Sequence, residues 1–156
     1  MKKELSGRLK IFYRIKNINY NFDSMSTKTI TYWQKDQQFK SYHGKNEIKI
    51  DGKRENGFGS KALLLSAAAA CSGIDIVDIL RKMRVNFSDF EIETEAEQTE
   101  EHPRVFKDIF ITYKLKTDKG NEEKVRKAIE LSLDKYCGVS AMLKKNSPIH
   151  YKLQIL

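Results

Sequence analysis

The stretch LLLSAAAACSGIDIVDIL, Leu63 to Leu80, constrains the fold of this chain more than any other segment. Eight of its first nine residues are apolar, and four of those are alanine. The pattern predicts a long helix from Ser60 to Arg84, with Ser60 placed to cap it. The Leu and Ala half is apolar all round, so it is expected to be buried on every side. The later half, DIVDILRKMR, is amphipathic. It ends in basic residues, which suit the negative end of the helix dipole. One thiol, Cys71, closes the apolar half, and a carboxylate, Asp75, follows one turn later.

Strand signals flank this helix. TKTITYW, QFKSYH and EIKID alternate with a period of two and read as a meander of short strands, with GKN as one turn. The Gly-rich loop DGKRENGFGS leads into the helix. FEIETEAEQ (90–98) reads as a strand with one acidic face, and VFKDIFITYKLKT (105–117) as a long strand. Asn121 is placed to cap a helix with Glu122 and Glu123 in its first turn. That helix breaks near Cys137–Gly138, before a short helix VSAMLKK and a last strand IHYKLQI. The order β-β-β-α-β-β-α-α-β predicts an α+β fold with antiparallel sheet and one deeply buried helix.

The 156 residues suit one domain that buries a core without disulfide staples. No uninterrupted apolar run reaches the roughly 18 residues of a membrane span, and the N-terminus has no secretory pattern. A cytoplasmic location is expected, with no membrane partner. Residues 1–54 carry 13 Lys and Arg against 5 Asp and Glu, whereas the remainder carries 16 of each. The lysines are spread singly and no nucleic-acid motif accompanies them. They read as a solvated surface rather than a nucleic-acid interface.

The two cysteines, Cys71 and Cys137, leave three readings open: inert buried residues, a redox pair, or part of a metal site. There is no CxxC, and His43, His102 and His150 show no ligand spacing with either thiol, so no metal or other cofactor is expected. Cys137 sits where a helix should begin, which favours its thiolate. Burial and Asp75 both disfavour the thiolate of Cys71, which needs a cation or a hydrogen-bond donor from elsewhere to become reactive.

Three segments, GFGSKALLLSAAAACSGIDIVDILRKMR, HPRVFKDIFITYKL and ELSLDKYCGVSAMLKKNSPIHYKL, together resemble the OsmC/Ohr family, in particular its YhfA-like subgroup. The resemblance covers roughly residues 27–156. Residues 1–25 read as an N-terminal extension and 26–156 as the OsmC-like domain. The resemblance implies an intertwined homodimer in which each subunit gives its long helix to a shared core. A second chain would then cover the apolar helix. It also implies thiol peroxidase chemistry in oxidative-stress defence. Cys71 would attack an organic or hydrogen peroxide, Cys137 would resolve the sulfenic acid as a disulfide, and an external dithiol would reduce it. Members that reduce organic hydroperoxides carry an Arg in the N-terminal sheet and a Glu near the start of the cysteine helix. Here the helix start reads Ser60-Lys61-Ala62, and WQKDQQF holds Lys35 but no Arg. Arg54 and Lys61 are the candidate replacements, and Asp75 the candidate neighbour of the thiol. Gly138 stands where many members have Pro. The alternative function is a non-enzymatic protein of the same fold that binds a small apolar ligand at the dimer interface.

Overall fold

A computed structural model describes residues 26–156. The expected extension, residues 1–25, lies outside the described residues. The chain divides into two compact units at Ser60–Lys61. In the first, β1 (Ile30–Lys35), β2 (Gln38–His43) and β3 (Asn46–Asp51) form an antiparallel meander in the order β1-β2-β3. Its register pairs Trp33 with Phe39 and Phe39 with Ile50. The loop after β3 folds back on it. Phe58 bridges to Ile50, and the Phe58 N–H donates to the Lys49 carbonyl at 3.0 Å. The buried Asp51 carboxylate organises this loop by accepting the backbone N–H groups of Lys53 and Asn56, each at 3.0 Å. These bonds hold its pKa below the usual carboxylate value.

The second unit begins within α1 (Ser60–Lys82) and continues through β4 (Ser88–Gln98) and β5 (Phe106–Lys116). A short 3-10 turn leads to α2 (Glu122–Leu131), a π-helical turn (Ser132–Tyr136), α3 (Gly138–Leu143) and β6 (Ile149–Ile155). Every strand and helix expected from periodicity is present and in the expected order. Asn121 occupies the N-cap position of α2 but makes no side-chain cap bond. Its amide donates to the Thr117 hydroxyl instead.

The sheet corrects one expectation. Strand order is β4-β5-β6, with β4 antiparallel to β5 but β6 parallel to it. The reason is the crossover. Between β5 and β6 the chain runs through α2, the π-turn and α3, and such a helical connection returns the chain in its original direction. On β5, Ile109, Ile111, Tyr113 and Leu115 are buried, while Lys107 and Phe110 face outward. The buried face packs against Ile76 and Leu80 of α1 and Val125, Ala128 and Ile129 of α2. Full burial of such aliphatic side chains contributes about 1.5–3 kcal/mol each. The acidic face of β4 is also as expected. Glu91 and Glu93 both pair with Lys114, and Glu97 pairs with Lys107.

A second expectation needs revising. Within this chain α1 is buried along one stripe, not on every side. Ala68, Ser72, Ile76 and Leu80 lie at four-residue intervals, with Gly73 beside them. At Gly73 the helix approaches β4 so closely that a Cβ would lie 2.6 Å from Ile92 Cδ1. The opposite side is bare, and Ile74 is 66% exposed. The physical reason is that one sheet covers only one face of a helix. At 23 residues α1 is also long and apolar enough, on average, to cross a membrane. The seating of its buried stripe on the sheet accounts for part of that apolarity without a bilayer.

One polar contact lies within this packing. The Tyr113 hydroxyl donates to Ser72 Oγ at 2.9 Å, and both residues are buried. Burial pushes the Tyr113 pKa up to about 12. An unfolded tyrosine ionises near pH 10, so Tyr113 makes unfolding easier as pH rises from about 10 towards 12. The Tyr113→Phe variant should lose about 1 kcal/mol of stability at neutral pH. It should also show a shallower alkaline loss than the wild type. Urea unfolding at pH 7 and at stepped alkaline pH checks both.

Candidate functional site

The site is built where α1 meets the π-turn. Cys71 and Asp75 are one turn apart on α1, beside the buried stripe, and both are half-buried. Cys137 is buried at the junction of the π-turn and α3. The two sulfurs and a carboxylate oxygen of Asp75 all lie within 4.8 Å of one another. Residues 66 positions apart in sequence are thus neighbours.

Local structure explains how Cys137 reaches this place. After Leu131 the helix widens, and the Cys137 N–H donates to the Ser132 carbonyl at 2.8 Å, five residues back. That is the π-helical bond, a feature often found at functional sites. Cys137 then turns to an extended conformation (φ −72°, ψ 100°) and becomes the N-cap of α3. Its sulfur accepts from the Ser140 N–H at 3.3 Å and from the Ser140 hydroxyl at 3.1 Å. The Lys144 ammonium donates to the Leu133 carbonyl at 3.1 Å and pairs with Asp134 at 2.6 Å, which fastens the turn from outside.

Asp75 is held from the same turn. The Ser132 hydroxyl lies 3.0 Å from Asp75 Oδ2 and 3.3 Å from the Ser72 carbonyl, and donates to the nearer carboxylate. Ser72 in turn donates to the Ala69 carbonyl at 3.2 Å while accepting from Tyr113. Ser132 therefore positions one member of the site by its side chain and another, Cys137, by its carbonyl.

The Cys71 thiol lies above the ordinary thiol pKa. Burial is the main cause, followed by its hydrogen bond to Cys137. The charge of Asp75 adds to the rise, while the Val139 backbone N–H opposes it. The Val139 N–H thus offsets only part of the rise.

The other two candidates, Lys61 and Arg54, each have contacts within their own unit. Lys61 is ten residues before Cys71, about 15 Å along the helix, and its ammonium hydrogen-bonds the Gln98 side chain. Arg54 belongs to the Asp51 loop of the first unit. It adopts a left-handed backbone conformation (φ 62°) that is uncommon for a non-glycine residue. Its side chain folds over Gly59, where an added Cβ would lie 3.2 Å from Arg54 Nε. Sequence reasoning missed Ser72, Ser132, Ser140 and Tyr113. The serines beside Cys71 and around Cys137 carried a signal only in their proximity to the two thiols.

Comparison with known proteins identifies the family. The sequence model of the OsmC family, described as OsmC-like protein, matches residues 50–152, which include both thiols and Asp75. Protein YhfA of Escherichia coli strain K12 is 34% identical over 116 residues, covering 71% of this chain and 84% of that protein. A hypothetical protein from Aquifex aeolicus VF5 superposes with a TM-score of 0.77 at 27% identity, covering 85% of this chain and 98% of its own. The organic hydroperoxide resistance protein OhrB of Bacillus subtilis shares the fold, with a TM-score of 0.58 at 17% identity over 83% of this chain and 98% of its own. With residues 50–152 matched by the family model and a relative 34% identical over 71% of its length, this chain is a member of the OsmC family.

Proposed function

We propose that the chain is a thiol-dependent peroxidase that reduces organic or hydrogen peroxides through Cys71 and Cys137. The observation that carries this reading is the approach of the two sulfurs to within 4.8 Å, with Cys71 the more accessible of the pair. The Cys71 thiolate attacks the O–O bond, forming a sulfenic acid and releasing an alcohol or water. Cys137 attacks that sulfur, water leaves, and a disulfide forms. An external dithiol of the cytoplasm restores both thiols. The Val139 N–H stabilises the attacking sulfur, and the Ser140 donors hold the resolving one. The hydroperoxide-resistance role named for the Bacillus relative supports the reaction class.

The working unit in this reading is a homodimer. The bare side of α1 carries Leu64 and Ile74, and Met142 of α3 is 65% exposed. A second copy of the chain is the cover that the family fold implies for them.

Wild-type protein treated with peroxide should form one intramolecular Cys71–Cys137 disulfide per chain, seen by mass spectrometry of peptides. Cys71→Ser should abolish peroxide consumption. Cys137→Ser should leave a trappable sulfenic acid at Cys71. Absence of any oxidation at Cys71 under excess peroxide would refute the peroxidase reading and leave the ligand-binding alternative ahead.

The raised thiol sets a pH dependence. Since the thiolate attacks, Cys71 oxidation should accelerate as pH rises through and beyond the ordinary thiol range near 8.5. Asp75→Asn removes a charge that raises this pKa, so the rise should move to lower pH and the rate at pH 7 should increase. The rate of sulfenic-acid trapping in the Cys137→Ser background measures this. A shift to higher pH would contradict the electrostatic assignment.

For the dimer, Ile74→Asp places a charge on the bare face of α1. Dissociation should strengthen at least tenfold, a loss of about 1.4 kcal/mol or more, in line with losing one buried aliphatic side chain. Sedimentation across a concentration series reads it, and an unchanged association constant would place the interface elsewhere.

A further inference from the structure

We propose that Cys71, Asp75 and Cys137 bind a soft divalent cation of the zinc class in the reduced chain. No such site is expected from the sequence, because positions 71, 75 and 137 match no ligand spacing and no histidine is among them. The fold makes the site. Two sulfurs and one carboxylate oxygen converge within 4.8 Å of one another. Tetrahedral zinc, with bonds of about 2.3 Å to sulfur and about 2.0–2.2 Å to oxygen, sets neighbouring ligand atoms roughly 3.5–3.8 Å apart. Each edge of the triangle therefore needs to contract by little more than about 1 Å at most. Thiolate with carboxylate suits zinc over magnesium or calcium, which take oxygen ligands.

A second, independent feature supports the assignment. Metal ligands are normally oriented by hydrogen bonds from outside the coordination shell. Here two of the three are. Ser132 Oγ donates to Asp75 at 3.0 Å, and Ser140 donates to Cys137 through its N–H and its hydroxyl. Because Cys71 and Asp75 are only half-buried, water can fill a fourth position, as in zinc sites that keep an open coordination place.

The site is redox-sensitive by construction. When a peroxide meets the metal-bound dithiolate, the two thiolates give up two electrons and form the S–S bond. The O–O bond breaks, takes those electrons and two protons, and leaves as an alcohol and water, or as two waters. The disulfide no longer offers two thiolates, so the cation is released. Cation binding itself does not depend on peroxidase turnover.

The test uses the full-length, reduced chain with zinc chloride and a competing chromophoric chelator. One zinc per chain should be retained. Cys71→Ser and Cys137→Ser should each abolish retention, Asp75→Asn should weaken it at least tenfold, and Ser132→Ala should weaken it roughly 10–100-fold. Far-UV circular dichroism checks that each variant is folded. Cobalt(II) added to the wild type supplies a readout free of mutation, a thiolate-to-metal charge-transfer band with tetrahedral ligand-field absorption. Failure of the wild type to retain zinc, retention by the Cys71→Ser/Cys137→Ser double variant, wild-type affinity in Asp75→Asn, or cobalt spectra without a thiolate band would each overturn the proposal. Peroxide should release zinc in step with disulfide formation. If peroxide leaves both thiols reduced while zinc is retained, the peroxidase reading fails and the metal site stands.

Discussion

Two hydroxyl contacts, Tyr113 with Ser72 and Ser132 with Asp75, are the interactions on which the site depends. Each joins two elements: β5 to α1 through Tyr113 and Ser72, and α1 to the π-turn through Asp75 and Ser132. Apolar packing fixes the distance between these elements, and the hydroxyl contacts add directional constraints to their register. Buried hydroxyls are different. Each must find a partner or cost about 1–3 kcal/mol, so only one relative placement satisfies them all. That placement puts Cys71 and Asp75 opposite Cys137.

The π-turn serves the same end. An unbroken α-helix from Glu122 would carry Ser132 and Cys137 on an ordinary helical spiral, with their side chains on faces about 140° apart. Widening the last turn lets the Ser132 carbonyl accept from the Cys137 N–H. Ser132 Oγ remains free to hold Asp75, and the chain is released into the extended cap that presents the Cys137 sulfur to the Ser140 donors. The irregularity is local and is fastened by Lys144 on the solvent side.

Much of the fold was legible in the sequence because it rests on periodicity. The alternation in FEIETEAEQ and FKDIFITYKLK marks strands with one wet face, and Ile76 and Leu80 mark the core stripe of α1. Two features were not legible for definite reasons. The direction of β6 is a property of the crossover from Thr117 to Pro148, not of IHYKLQI, which reads the same either way. The one-sided burial of α1 follows from how many surfaces a single chain can bring to a helix, which apolarity does not count. At the site, Cys71, Cys137 and Asp75 were legible as reactive types. Ser132 and Ser140 were not, because a serine that positions a ligand has the same sequence signature as one on a turn.

The chemistry follows from an electrostatic conflict. Two thiols and a carboxylate within 4.8 Å cannot all carry charge in a half-buried setting without compensation. Lys61 is engaged with Gln98, so it does not supply the compensation, and the backbone donors at Val139 and Ser140 supply only part of it. Three states relieve the conflict. A proton kept on Cys71 does so and leaves it a slow nucleophile. A disulfide does so by removing both thiolates. A bound divalent cation does so by balancing them. Each state is reached from the others by reagents of a different kind: acid, oxidant or metal. The Ser140 N–H would bond Cys137 as the cap of α3 in any case, but two inert cysteines would pack without the Ser140 and Ser132 hydroxyls. That those hydroxyls reach the Cys137 sulfur and the Asp75 carboxylate is the physical reason to read the cluster as a site built for charge.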